Sequence, residues 1–404
     1  MQYDLVFEGG GAKGFVFVGA MQEFEHRGHT HGRLLGTSAG AITACLLAAG
    51  YRSDEMLAAM NEKEYCKSVF TKFMGAIPPV DEADVRRSSL RALLGEINFG
   101  LVPDKIEAKL DDHLANILAN RPNLNHFYSF MEYGGWYSAD AFLVWLERKL
   151  YEGLWNDGPR RFGGMTLNEF HNATGKDLSL VAADTSAGQL LVLNHRTSPD
   201  LPVVRAVRMS MSIPLLWQEV VWKKEWGKYR TRNVAGHSIV DGGLLSNFPL
   251  ELFLSDMPDV TAVMGRKRSE HVLGLLIDER LPVKDAPAQP KKKKGPAIDR
   301  LPAVQRLNGL LNTVLGARDT MVMNAFEDCV IHLPAQGYGT TEFDMSDRRR
   351  EALVAAGQAA MQAYFKRRKT ARAATTEVSE SLTLLANRSA RSIIKEPKEP
   401  KTDR

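Results

Sequence analysis

Gly36-Thr37-Ser38-Ala39-Gly40 follows the short apolar step Leu34-Leu35 and opens the helix-like run 41–49. In a G-x-S-x-G turn of this kind the serine stands between a strand end and a helix start. Its hydroxyl projects outward, and the glycines on either side let neighbouring backbone approach it closely. That is the position of a nucleophile. The same five residues also suit a serine that caps an ordinary helix, since serine is among the best N-caps, so the surrounding sequence has to decide.

Upstream, residues 3–8 read as a buried first strand, and Gly9-Gly10-Gly11-Ala12-Lys13-Gly14 as a glycine loop. Residues 15–27 have helical spacing and end at Gly28, and 33–35 form a second short strand. Strand, glycine loop, helix, strand, serine turn, helix is the opening of a parallel, helix-covered sheet. The loop formally satisfies G-x-G-x-x-G, but the acid that would bind a ribose belongs near position 36, where Gly36-Thr37-Ser38 stands. A phosphate-binding P-loop fails as well, because Lys13 is followed by Gly14 rather than Ser or Thr. Bare amides at a helix N-terminus still suit negative charge. Acyl transfer generates such a charge beside the attacking serine, so the amides of Gly9, Gly10, Gly11 and Ala12 are candidates for an oxyanion hole next to Ser38, with Lys13 as a nearby cation or a plain surface lysine.

A serine needs a base. The turn comes after a single βα unit, too early for the usual serine hydrolase order, and no histidine stands in an obvious motif. His237 precedes the Asp241 strand and His332 ends a strand; either could complete a triad, and a structural role is the stronger reading for each. Asp241 differs: it ends the apolar strand step 238–240 and is followed by Gly242 and Gly243, which leave its carboxylate open to close approach, with Asn247 and Pro249 completing a tight turn.

EGGGAKG, GTSAG and DGG in this order resemble the patatin-like phospholipase family. The resemblance extends to 135–140, 182–188, the Ser212-Ile213-Pro214 step and 339–343 with its following helix, and covers roughly residues 3–365. It implies a three-layer α/β/α core with a mostly parallel sheet and a helical insertion. It also implies a Ser-Asp dyad without histidine: Ser38 as nucleophile, Asp241 as general base, Gly9 to Ala12 as the oxyanion hole, and Lys13, Gly36, Gly40, Gly242 and Gly243 in support. A carboxylate with an ordinary pKa near 3.9 is a weak base for serine, so the dyad needs a water-poor site. Departures are Glu8 before the glycines, Met209 and Met211 before Pro214, and the insertion 291–294. The reaction expected is hydrolysis of fatty-acyl esters of phospholipids or lysophospholipids through an acyl-Ser38 intermediate, without metal or other cofactor. The alternatives are a membrane-associated scaffold of the same fold, or an acyl hydrolase for a soluble ester or thioester.

With 404 residues and 44% hydrophobic content, the chain supports one large or two ordinary domains. The expected division is a hydrolase domain over 1–370, with the helical insertion at about 53–150 and a flexible basic loop at about 281–300, then a basic, disordered tail over 371–404 with a weak helix around 378–390. Cys45, Cys66 and Cys329 are odd in number and widely spaced, which fits reduced thiols in a reducing cytosol. The N-terminus carries no signal pattern, and 39–50 is too short to span a bilayer. Net charge is +4. The stretches 281–300 and 366–404 carry +4 and +6, leaving the remainder near −6. These basic stretches are either solvated linkers or a handle for anionic lipid. No aromatics interleave with the lysines, so nucleic acid is not expected. The expectation is a cytoplasmic protein, peripheral at phospholipid membranes, with homo-oligomer or activating partner left open.

Overall fold

The computed structural model of the protein describes residues 1–64, 67–74, 88–89, 122–288, 325–371 and 380–395. The strands that build the site are β1 (Gln2–Phe7), β2 (Thr30–Thr37), β3 (Gly135–Tyr137), β4 (Leu178–Asp184), β5 (Gln189–Leu193), β6 (Leu215–Trp217), β7 (Val220–Val221), β8 (Ser238–Asp241), β9 (Val272–Pro282) and β10 (Val330–Gln336). The helices around them are α1 (Phe15–His26), α2 (Ala39–Ala48), α3 (Ser53–Met60), α4 (Pro122–Tyr133), α5 (Asp140–Tyr151), α6 (Leu167–Thr174), α7 (Val203–Ser210), α8 (Glu251–Leu254), α9 (Pro258–Met264), α10 (Asp347–Ala371) and α11 (Glu380–Ile394).

The main sheet runs β7-β8-β4-β2-β1-β9-β10, with β5 on the other edge of β4. β2, β1, β9, β10 and β4 are mutually parallel neighbours, while β5, β8 and β7 are added antiparallel. Period-two alternation divides the side chains between two layers. Tyr3, Leu5 and Phe7, Leu34, Leu273 and Leu275, Ile331 and Leu333 join one core with α1, α2 and α10. Val6, Leu35, Val181, Val272, Leu276 and Val330 join a second core with α8, α9 and α11. Both sheet faces are covered, which is the expected three-layer α/β/α arrangement. It also explains why the central strands read as continuous apolar runs.

The topology brings two distant strand ends together. β5 pairs with Leu180–Asp184 on one edge of β4, so β2 and β8 must share the other edge. β2 runs up that edge and ends with Thr37 opposite Val181; β8 runs down it and ends with Asp241 opposite Ala182. The two strands meet tip to tip on consecutive residues of β4. Everything that follows each tip, Ser38 from one side and Asp241 from the other, is therefore forced into one place.

The insertion, where described, packs over the first core as expected, although it is not purely helical: β3 pairs with β6 in parallel, tying it to the segment after α7. Two boundary expectations are corrected. β9 continues through Pro282, so the loop begins later than 281; Lys291 to Lys294 lie outside the described residues. In the tail, the helix expected around 378–390 is present as Glu380–Ile394, and it is packed rather than weak, with Ala386, Ala390 and Ile393 buried in the second core. Asn387 accepts a hydrogen bond from Ser255 Oγ at 2.8 Å, and Ser389 donates to Glu251 at 2.9 Å. The charge and Ser/Thr density of the flanking tail hides how firmly this 3.6-residue apolar stripe packs. No described helix is long and apolar enough to cross a membrane.

Candidate active site

Ser38 joins β2 to α2 with φ 53° and ψ −119°, a left-handed conformation that a side-chain-bearing residue adopts only when its surroundings impose it. What imposes it is crowding around α2. The helix is built almost wholly of small and apolar residues and is buried except at Ile42, so it can approach the strand tips closely. A Cβ at Gly36 would lie 2.2 Å from Gly40 O, and one at Gly40 would lie 2.4 Å from Phe7 O. No larger residue fits at either position while the turn keeps this shape. The backbone amide of Ser38 donates to Ser210 Oγ at 3.1 Å, and Ser210 in turn donates to Val181 O at 2.6 Å. Ser210, on α7, thus pins the turn to β4; no local motif in the sequence marks it.

Asp241 is 3% exposed. Its Oδ1 accepts from the Gly243 amide at 2.8 Å, which is what the small residues after it permit, and its backbone amide donates to Ser212 O at 2.9 Å. Gly242 lies so close to β4 that a Cβ there would be 2.5 Å from Val181 O. Burial pushes the Asp241 carboxyl up to about 7, partly offset by the neighbouring Ser38 hydroxyl and by the Gly243 amide. Oδ2 is buried without a hydrogen-bond partner among the described residues. The carboxylate is thus a stronger base than an exposed aspartate, sits beside Ser38, and keeps one oxygen free to take a proton.

The glycine loop lies against the serine: a Cβ built on Gly9 would be 3.0 Å from Ser38 Cβ. Of the four amides expected to form the oxyanion hole, two already have backbone acceptors. Gly9 N donates to Asn247 O at 3.3 Å and Ala12 N to Thr340 O at 2.8 Å, whereas Gly10 and Gly11 amides have no acceptor among the described residues. Lys13 is not a surface lysine. It is 3% exposed, with its ammonium paired to Glu279. Glu8 and Asn247 brace the loop. Glu8 accepts from Ile277 N at 2.6 Å and from Asn247 Nδ2 at 3.1 Å, and Asn247 Nδ2 also reaches Gly9 O at 3.0 Å. Glu8, a departure in the sequence, is here a bridge between β1, β9 and the DGG turn.

Ser38, Gly11 and Ala12 open into an apolar cavity walled chiefly by Phe15, Met60, Phe70, Phe73, Trp217 and Phe343. Its walls come from α1, from the insertion and from the segment after α7. Buried Arg208 holds the last of these in place, donating to Ser212 Oγ, to Ser138 O at 3.0 Å and to Gln218 O at 2.8 Å. Asp241 is not among the residues that line the cavity.

His237 and His332 are elsewhere. Each gives its Nδ1 to another carboxylate, His237 to Asp184 at 2.8 Å and His332 to Asp278 at 2.9 Å. Among the described residues, His171, Asp177 and His195 are the group with the reach to hold a metal ion. They lie at the start of β4, the end away from Ser38. Their rings stack 3.6 Å apart and nearly parallel, so the nitrogen lone pairs do not converge, and Asp177 is taken by Arg196 and Arg268.

The sequence model of the family described as patatin-like phospholipase matches residues 5–254, a stretch that holds the glycine loop, Ser38 and Asp241. The chain is 26% identical over 373 residues to the uncharacterized protein YqhO of Bacillus subtilis, covering 91% of this chain and 99% of that one. A patatin-like phospholipase domain-containing protein of Cryptococcus neoformans is 29% identical over 124 residues, 28% of this chain and 14% of the fungal protein. Among solved structures, VipD from Legionella pneumophila aligns with a TM-score of 0.43 and 17% identity, over 96% of this chain and 74% of VipD. With the three-layer core and the matched motifs both in place, the chain belongs to the patatin-like phospholipase family, a family of lipid acyl hydrolases.

Proposed function

We propose that the protein hydrolyses fatty-acyl esters of phospholipids or lysophospholipids with a Ser38-Asp241 dyad. The observation that carries this reading is the buried, partnerless Oδ2 of Asp241 beside a strained serine that opens into an apolar cavity. As Ser38 Oγ attacks the ester carbonyl carbon, its proton passes to Asp241. The carbonyl oxygen becomes an anion held by the Gly10 and Gly11 amides, preorganised donors that need no rearrangement as charge develops. Collapse breaks the bond to the alcohol, which takes the proton back from Asp241 and leaves as the deacylated lipid. Water then gives its proton to Asp241 and attacks acyl-Ser38, releasing the fatty acid and restoring the serine.

The apolar walls favour a fatty-acyl chain over a small polar acyl group, which sets the lipid substrate above a soluble ester or thioester. Such a substrate resides in a bilayer, so the working place proposed is the surface of a phospholipid membrane, anionic in preference, reached from the cytoplasm. The experiment is mass spectrometry of the lipids left after purified protein is incubated with mixed phospholipid vesicles. Free fatty acid and lysolipid, absent with Ser38→Ala, are expected; intact lipids alongside turnover of a soluble thioester would move the assignment to that substrate class.

A further inference from the structure

The cavity beside Ser38 is apolar except at one end. Arg350, in the first turn of α10, is 4% exposed and lines it. Its Nη1 donates to Met345 O at 3.2 Å and its Nη2 to Asp347 Oδ1. Its Nε is buried and has no partner among the described residues. The Phe15 ring is 5.8 Å from the guanidinium carbon, at the outer limit of a cation–π contact. A buried donor on a charged group is costly to leave unmade, and such groups call for an explanation.

The surrounding charges sharpen the point. Glu342, which also lines the cavity, is consumed by Arg349 at 2.6 Å and by the Gly339 amide at 3.1 Å. Asp347 is half exposed and shared between Arg350 and Lys63, the latter at 2.7 Å. Three cations stand here against two carboxylates, and the guanidinium that carries the unpaired Nε–H belongs to a residue lining the substrate cavity.

We propose that Arg350 Nε receives an anionic oxygen of the acyl substrate, a phosphate oxygen first of all, and so makes the enzyme select phosphate-bearing esters over neutral esters of the same acyl chain. This deepens the acyl-hydrolase reading above and rests on it. A guanidinium N–H to phosphate is a charge-assisted bond with fixed direction. In a dry cavity it adds selectivity, while the aromatic and methionine walls take the chain. A carboxylate offers the same chemistry, and the test separates the two.

The test compares kcat/KM of the full chain on octanoyl lysophosphatidic acid and on octanoyl glycerol, which share the acyl group and differ by the phosphate. A preference of roughly tenfold or more for the phosphate ester is expected. It should fall toward unity in Arg350→Lys, which keeps the charge and lacks Nε, mainly through KM. Because Arg350 also holds Met345 and Asp347, a second measurement uses the unaltered protein: protection of Ser38 from a fluorophosphonate probe by octyl phosphate, octanoate or octanol. Octyl phosphate should protect at roughly tenfold lower concentration than octanol. Octanoate as effective as octyl phosphate would support the site and name carboxylate as an equal ligand. Equal protection by octyl phosphate and octanol, or a preference retained in folded Arg350→Lys, overturns the inference while ester turnover and labelling leave the acyl-hydrolase reading standing. Absence of both turnover and labelling overturns that reading and this inference with it.

Discussion

In the proposed dyad Asp241 carries two opposed demands: burial strengthens it as a base and disfavours the charge a base needs. With its carboxyl pushed up to about 7, turnover should rise with pH and reach half its maximum near that value. Asp241→Asn should cost about 10² to 10⁴ in kcat with the fold intact, while His237→Ala and His332→Ala cost little. A histidine change as damaging as Asp241→Asn, with folding unaffected, would require a triad. The same burial sets a sign for stability. Between the ordinary carboxyl pKa and about 7 the unfolded chain is ionised while folded Asp241 holds its proton, so this group's contribution to stability falls as pH rises through that window. Denaturation midpoints of Asp241→Asn relative to the unaltered protein should therefore gain more near pH 8 than near pH 5. At this scale Ser38 and Asp241 could be singled out as candidates because glycines flank the first on both sides and follow the second. Ser210, Glu8 and Asn247 were not, because each acts on a residue far away in the chain through an ordinary hydrogen bond that leaves no local pattern.

At the scale of elements, the site exists because β2 and β8 end head to head on neighbouring residues of β4 and because α2 comes close enough to hold the turn between them. The first strand, the glycine loop, α1 and the serine turn were readable from apolar runs and glycine placement. The antiparallel entry of β8 was not, since a four-residue apolar step carries no sign of the direction in which it pairs. Four amides could be named for the oxyanion, but only the fold shows that Asn247 and Thr340 consume two of them. Gly40→Ala tests the close approach. Its methyl would meet Phe7 O and Glu8 O at 2.4 and 2.6 Å, so α2 must retreat, at about 1–3 kcal/mol of stability and with loss of turnover. Gly164→Ala, which meets open space, is the control and should be silent in the same urea melts.

For the whole molecule, the family match ends at residue 254, yet the fold does not. β9 and β10 complete the sheet, α10 covers one face and supplies Arg350 to the cavity, and α11 seals the other face. Removing residues 380–404 should expose the apolar surface of α8 and α9 and lower the urea midpoint; an unchanged midpoint would make α11 an ornament. The basic stretches read in the sequence bear on membrane binding. Sedimentation with anionic vesicles should exceed that with neutral ones and weaken with salt, as the Debye length shrinks from about 10 Å at 0.1 M to about 3 Å at 1 M. Equal sedimentation across the salt series would leave these lysines as solvated linker. The central claim is that Ser38 carries the acyl group, and intact-protein mass spectrometry after a brief reaction with a slowly deacylating ester tests it most directly. The account expects one acyl adduct, mapped to the peptide holding Ser38 and absent from Ser38→Ala. Turnover that persists in Ser38→Ala, or an adduct on any other residue, would contradict it.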